Sequence, residues 1–402
     1  MSIFLSIAVA AVMGIFPAHG VAESMPGQAP PDPPSAGELL IVSEVEPDAE
    51  GLVKVGTCRT SGFAWGIAVQ DTYAYIADGP AGLVIIDVSD PENPARAGTC
   101  RTPGYAWGVA VRDHFAYLAN GAYGLQVIDI ADPKNPRIVG GCDTPGYARG
   151  IALHGDYAYV ADGSRGLRII DVSDPENPGG VGSHRIQGNC RGIVVAGDFA
   201  CITSYLPETG SGLRVVDISR PDEPRELGHC ATPGFAYALA VQGNHAYVVD
   251  WGSGLKVMDI SDPAHPIMEG GYDISWFARG LAIAGDYAYI VDGHDGIRVM
   301  NIKTPADILH IGDYDTPGYA LGIGISGRYL YVADGNAGLQ IFRLPSPDEA
   351  GAAWSYNEST GHHALTMAAI AKAPEQGEPL SNELIAGKDI KREGAIGTRF
   401  IV

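Results

Sequence analysis

Basic residues are scarce in this chain: 26 Lys and Arg stand against 47 Asp and Glu, a formal net charge of −21. A nucleic-acid partner needs clustered Lys and Arg against its phosphates, so that class drops out. Long apolar runs are scarce too, and beyond residue 22 none is long enough to span a bilayer. Catalytic signatures are equally thin. There is no G-x-S-x-G, no H-E-x-x-H and no CxxC pair. Gly322–Gly327, GIGISG, fits G-x-G-x-x-G, but it falls in an innermost strand with no helix after it, and Ser253–Lys256 fits S-x-x-K by the same accident. The histidines, among them His114, His154, His184, His229, His245, His265, His294 and His310, are scattered over different positions of the sequence repeat described below, and no triad emerges. The sequence therefore names no cofactor, no metal ligand and no catalytic residue.

What is present points to β-structure. The chain is 46% apolar and only 18% charged, and its 54 glycines exceed what helices tolerate. Residues 1–22 read as a signal peptide, an apolar run ending in small residues, and predict export to the periplasm, cell surface or medium. Their n-region lacks Lys and Arg, so an uncleaved anchor stays open as the one route to a membrane. Residues 23–45 read as a Pro-rich linker and 346–402 as a partly disordered tail with one possible short helix, His363–Lys372. Cys58, Cys100, Cys142 and Cys230 occupy one repeat position and so fall on sheets about 10 Å apart, too far for a bridge. Cys190 and Cys201 are out of register, and all six are expected to be small buried side chains.

Self-similarity dominates everything else. Asp78 in YIADGPAGL is matched by Asn120, Asp162, Ser204, Asp250, Asp292 and Asp334, at a 42-residue period with one four-residue insertion. Within a unit, short alternating or continuous apolar runs are separated by Gly, Pro, Asp and Asn, which is strand punctuation. The first unit gives four strands: Gly66–Gln70 (a), Tyr73–Asp78 (b), Gly82–Val88 (c) and Ala95–Arg101 (d). Four strands in about 42 residues make a propeller blade, so residues 46–345 are expected to form an all-β, seven-bladed β-propeller. Leu52–Thr60 is a d strand without a blade and Gly338–Leu344 a c strand without a d, so the first should complete the last blade.

The strand-c segments carry a family resemblance. GLVIIDVSDP at Gly82–Pro91 recurs at Gly124–Pro133, Gly166–Pro175, Gly212–Pro221 and Gly254–Pro263, and this resembles the LVIVD repeat family. The resemblance covers residues 52–344 and implies a propeller in an extracytoplasmic setting, with no catalytic residues to carry over. It departs late, with Asn301 and Arg343 in place of the strand-c Asp.

One position varies where its neighbours do not. In the d-to-a motif T-P-G-aromatic-A-x-G, x reads Trp65, Trp107, Arg149, Arg191, Tyr237, Arg279 and Leu321 in blade order. A ligand is asymmetric and needs different groups around a ring, so these residues are candidate contacts at the channel mouth, suited to an anionic or glycan-like ligand by stacking and bidentate hydrogen bonding. The competing reading has them capping blade junctions and pairing with nearby carboxylates. Arg168, Arg214, Lys256 and Arg298 share that rim, with Asp162, Asp250 and Asp292 in reach to neutralise them. The Asp78 ring reads as turn-forming rather than metal-binding, and Asp87, Asp129, Asp171, Asp217 and Asp259 as buckles of the Ser-Asp-Pro turn. The expected function is a monomeric binding or scaffold module for a protein, a glycan or a small anionic ligand. Two alternatives stand beside it: a lactonase-like hydrolase or lyase using Arg279 or Arg191 with Asp292 or His294, and a structural surface or adhesion role.

Overall fold

The computed structural model describes residues 51–206, 211–273 and 277–345, together with two short strands at 354–357 and 362–365. The expected signal segment, the linker and most of the tail lie outside the described residues. Between Val53 and Arg343 the chain forms seven four-stranded antiparallel sheets, each in the order a-b-c-d. Blade one comprises Gly66–Gln70, Tyr73–Ala77, Leu83–Asp87 and Ala95–Cys100, within a residue of the sequence reading. The seventh sheet is completed from the N-terminus, with Val53–Cys58 pairing antiparallel to Leu339–Arg343.

Burial follows strand position. Strands b and c have a neighbouring blade on both faces, so they read as nearly continuous apolar runs: Leu83, Val84, Ile85 and Ile86 are all fully buried. Strand b alternates Tyr with Ala, and Tyr117 and Tyr159 are among the largest fully buried side chains. Strand d is the outer edge, and its exposed Ile138, Val181, Ile267, Met268 and Leu309 are spread over four blades. The core lies between blades rather than at one centre: Tyr75, Leu83 and Ile85 of blade one pack with Val109, Leu118 and Ile128 of blade two. Each such aliphatic residue contributes about 1.5–3 kcal/mol on burial.

The strand-c carboxylates buckle the next turn. Asp87 accepts from the Ser89 N–H at 2.9 Å, and Asp171 from Ser173 at 2.9 Å. Asn301 does the same for Lys303 at 3.0 Å, so that departure from the repeat keeps the hydrogen bond. All six cysteines are free thiols. Cys100, Cys190 and Cys201 are buried as expected, whereas Cys58, Cys142 and Cys230, at the same strand-d position as Cys100, are only half-buried. The helix expected from His363 is not what residues 362–365 form: they pair as a strand with Trp354–Asn357, whose Trp and Tyr favour a pleated conformation. The remainder of that helix lies outside the described residues.

Candidate site at the channel mouth

The d-to-a loops and b-to-c turns share one face, and side chains lock them together. Thr60 donates to Asp78 Oδ1 at 2.7 Å while the Gly62 N–H donates to Oδ2 at 2.7 Å. Thr144 and Gly146 hold Asp162 in the same way at 2.6 and 2.9 Å, and Thr316 and Gly318 hold Asp334 at 2.8 and 2.9 Å. These Asp side chains are fully buried. Burial pushes their carboxyls up, Asp334 to about 6, against the pull of the hydrogen bonds. Their role is the expected one of turn formation, extended to the loop that enters the blade.

The variable position lies just above this lock, where the a–b ladder is interrupted. In blade one the Trp65 N–H still bonds the Ala77 carbonyl at 2.9 Å, but regular pairing begins at Gly66. In blades four and five the interruption is a β-bulge, with Arg191 between the paired residues Cys190 and Ile193 and Tyr237 between Ala236 and Ala238. A bulge re-aims a side chain, and here it re-aims the one position that varies. The glycine that follows is dictated by the neighbouring blade. A Cβ on Gly66 would stand 2.6 Å from the Trp107 carbonyl oxygen, and one on Gly150 would stand 2.2 Å from that of Arg191.

The variable side chains form a collar. Trp65 and Trp107 pack with ring centroids 4.3 Å apart, and the Arg149 guanidinium lies over Trp107 at 4.7 Å. Across the ring, Tyr237 receives one guanidinium from each neighbouring blade, Arg191 at 4.4 Å and Arg279 at 4.5 Å. These six are partly exposed, whereas Leu321 is buried at 1% and acts as packing. A second tier of aromatics supports them and went unnoticed in the sequence. Trp65 Nε1 donates to Tyr105 Oη at 2.7 Å and Trp107 Nε1 to Tyr147 Oη at 3.3 Å, while Trp251 sits 5.5 Å under Arg279. For Tyr105 and Tyr147 the aromatic position of the d-to-a motif was the available signal, and for Trp251 an aromatic where most blades have glycine after the turn Asp. The motif aromatic also accounts for that glycine, since a Cβ on Gly79 would meet the Tyr105 ring at 2.9 Å.

The basic residues of this rim separate into two sets. Arg168 pairs with Asp162 (3.6 Å), Arg214 with Glu226 (3.1 Å), Lys256 with Asp273 (2.9 Å), and Arg298 with Asp292, Asp295 and Asp313 (2.6–3.0 Å). Arg149, Arg191 and Arg279 have no carboxylate within ion-pairing distance among the described residues, and the buried Nε atoms of Arg149 and Arg279 have no hydrogen-bond partner. Burial, then the charges of Arg191 and Arg279, hold the Arg149 guanidinium below its ordinary value. Asp162 and Asp292 thus neutralise Arg168 and Arg298 as expected, whereas Lys256 pairs with Asp273 instead of Asp250, and among the described residues the carboxylate pairing expected of the collar is not formed.

A sizeable cavity opens elsewhere on the ring. It measures about 720 Å³, lies within the innermost strands toward the a-to-b turns, and has aliphatic walls that include Val69, Val111, Leu153 and Val195. None of the collar residues lines it. Its polar rim is already engaged, because Gln70 and Gln242 donate to Asp113 and Gly285 carbonyls of the next blade at 2.9 and 3.1 Å, and Arg112 donates to that of Gly155. The enzyme alternative loses part of its equipment as well. Asp292 is fully buried and ion-paired to Arg298, and exposed His294 stands edge-on to Tyr319 at 4.5 Å.

Fold and collar together define a seven-bladed β-propeller repeat protein. The chain belongs to the LVIVD repeat family, whose repeat matches seven times, at residues 61–102, 103–144, 145–185, 187–232, 233–274, 277–316 and 317–342. No curated protein matches the chain. Solved structures of similar fold include the β-propeller domain of Cps50 (Swd1) from Myceliophteria thermophila, at TM-score 0.57 and 13% identity over 73% of this chain and 99% of that one. BamB from Moraxella catarrhalis aligns at TM-score 0.52 and 13% identity, over 73% and 98%. The computationally designed Ika8 protein aligns at 0.54 and 8%, over 74% and 98%. At such identities the likeness is one of fold alone.

Proposed function

We propose that the chain is an exported binding module whose working face is the d-to-a mouth and whose ligand is anionic. One observation carries this reading. Among the described residues three guanidiniums cluster with no carboxylate in ion-pairing distance, in a protein of net charge −21, while four neighbouring basic side chains on the same rim are all paired. Packing alone would have supplied counter-charges to the collar as it did to strand c, since a cluster of like charges costs stability. Aromatic faces at 4.4–4.7 Å hold the guanidinium planes and leave N–H edges for oxyanion oxygens. The apolar run at residues 1–22 supports the extracytoplasmic setting.

The test is thermal shift against a panel of small anions, neutral sugars and cations. A ligand at 100 times its Kd adds about 2.7 kcal/mol to the folded state. Anions should raise Tm in the wild type and fail to do so in the Arg191→Ala/Arg279→Ala variant. Equal shifts in both proteins would place the binding elsewhere.

A further inference from the structure

The collar has two unlike halves, and its charge count narrows the ligand class. Trp65 and Trp107 form a partly exposed aromatic step, with Tyr105 behind them at 4.9 Å from Trp107. Next to that step stands Arg149, and beyond it Arg191 and Arg279 on either side of Tyr237. Three cations within each other's field are not neutralised by one negative charge. One carboxylate would also offer guanidiniums arriving from three different blades only two oxygens, with all their lone pairs in one plane. A tetrahedral group with three peripheral oxygens and about two negative charges meets both requirements.

Resting on the anionic-ligand reading above, we infer that the arginine half binds a phosphomonoester dianion carried on a ring that lies against Trp65 and Trp107. A sugar or an aromatic ring would serve, because either presents a flat face to indole. The arrangement separates two duties. The arginines supply most of the affinity for the phosphoryl group, and the indoles select what carries it.

The experiment measures Kd by calorimetry at neutral pH for glucose 6-phosphate, glucose 6-sulfate, glucuronate, glucose and inorganic phosphate. The sulfate ester has the phosphate ester's shape with one charge fewer, and glucuronate has one charge in a planar group. The phosphate ester should bind at least tenfold more tightly than the sulfate ester and glucuronate, and several-fold more tightly than inorganic phosphate. Arg149→Gln should remove most of the preference for phosphate over sulfate. Trp65→Ala removes a ring that carries no guanidinium, and should weaken the ester toward inorganic phosphate while leaving inorganic phosphate itself unchanged. Unliganded Tm is measured for each variant, and Arg191→Gln serves in place of any Arg149 variant that does not fold. If phosphate and sulfate esters bind equally, the dianion inference fails while the anionic reading stands. Binding of inorganic phosphate as tight as that of the ester overturns the ring half. Should no anion bind, both readings fall.

Discussion

Thr316 donates its hydroxyl to Asp334 Oδ1 at 2.8 Å, and the carboxylate that accepts it is fully buried with its pKa raised to about 6. A carboxyl whose folded pKa exceeds its unfolded value binds more protons in the native state between the two. The contribution of Asp334 to stability therefore falls as pH rises from about 4 to about 6. Asp78, Asp162 and Asp250 are raised for the same reason and act in the same direction. Asp334→Asn is expected to flatten part of this slope and to cost under about 1 kcal/mol at pH 4, where the carboxyl is already neutral, because the amide oxygen can accept from the Gly318 N–H while its nitrogen donates to the Thr316 hydroxyl. Melting curves across pH 4–6 decide it; an unchanged slope removes Asp334 from the account.

Tyr237 is the support on which two guanidiniums rest, so its ring matters more than its hydroxyl. Tyr237→Phe should keep anion affinity within about twofold. Tyr237→Ala removes two cation–π contacts, each worth about 0.5–1 kcal/mol, and should weaken binding roughly five- to thirtyfold. Equal losses in the two variants would transfer the role to the phenolic oxygen.

Gly150 is fixed by the approach of the next blade. A Cβ there would meet the Arg191 carbonyl oxygen at 2.2 Å, and backbone cannot step aside as a side chain can. Gly150→Ala should destabilise by about 1–3 kcal/mol. At Gly179 a Cβ meets nothing within 4 Å, and Gly179→Ala should stay within about 0.5 kcal/mol. Denaturant midpoints provide the comparison, and two variants of equal stability would falsify the contact.

Ring closure rests on Val53–Cys58. Removing residues up to Thr60 leaves the edge of Leu339–Arg343 without its partner, a template for pairing with other chains. Size-exclusion chromatography should show loss of the intact protein's peak and growth of aggregate. A truncated chain that keeps that elution volume and the same Tm means the clasp is dispensable.

The blade count was readable because Gly-Asp-Pro punctuation and apolar runs recur at a fixed interval, and each strand needs only local information. The collar was half readable. Variation at one position marked Trp65 through Arg279, but nothing local distinguished Arg149 from Arg168. That difference depends on which carboxylates the fold brings near, and Arg214 pairs with Glu226 on strand d rather than with a turn Asp. The burial of Leu321 was hidden for the same reason, since it is set by the adjoining blade. Tyr105 and Tyr147 escaped because an aromatic in a motif repeated in blade after blade reads as packing until its hydroxyl is seen beneath a variable neighbour, and Trp251 because it ends strand b at the b-to-c turn, away from the variable position in sequence.

Val53 and Arg343 stand opposite each other in the closing sheet, at the same end of an antiparallel pair. Each is the point where a flanking segment joins the ring. A pull that separates those segments loads the bonds between the two strands one after another, as in a zipper, instead of shearing all of them together. Tension between the flanks would therefore be released first at blade seven, leaving the arginine side of the ring mechanically shielded.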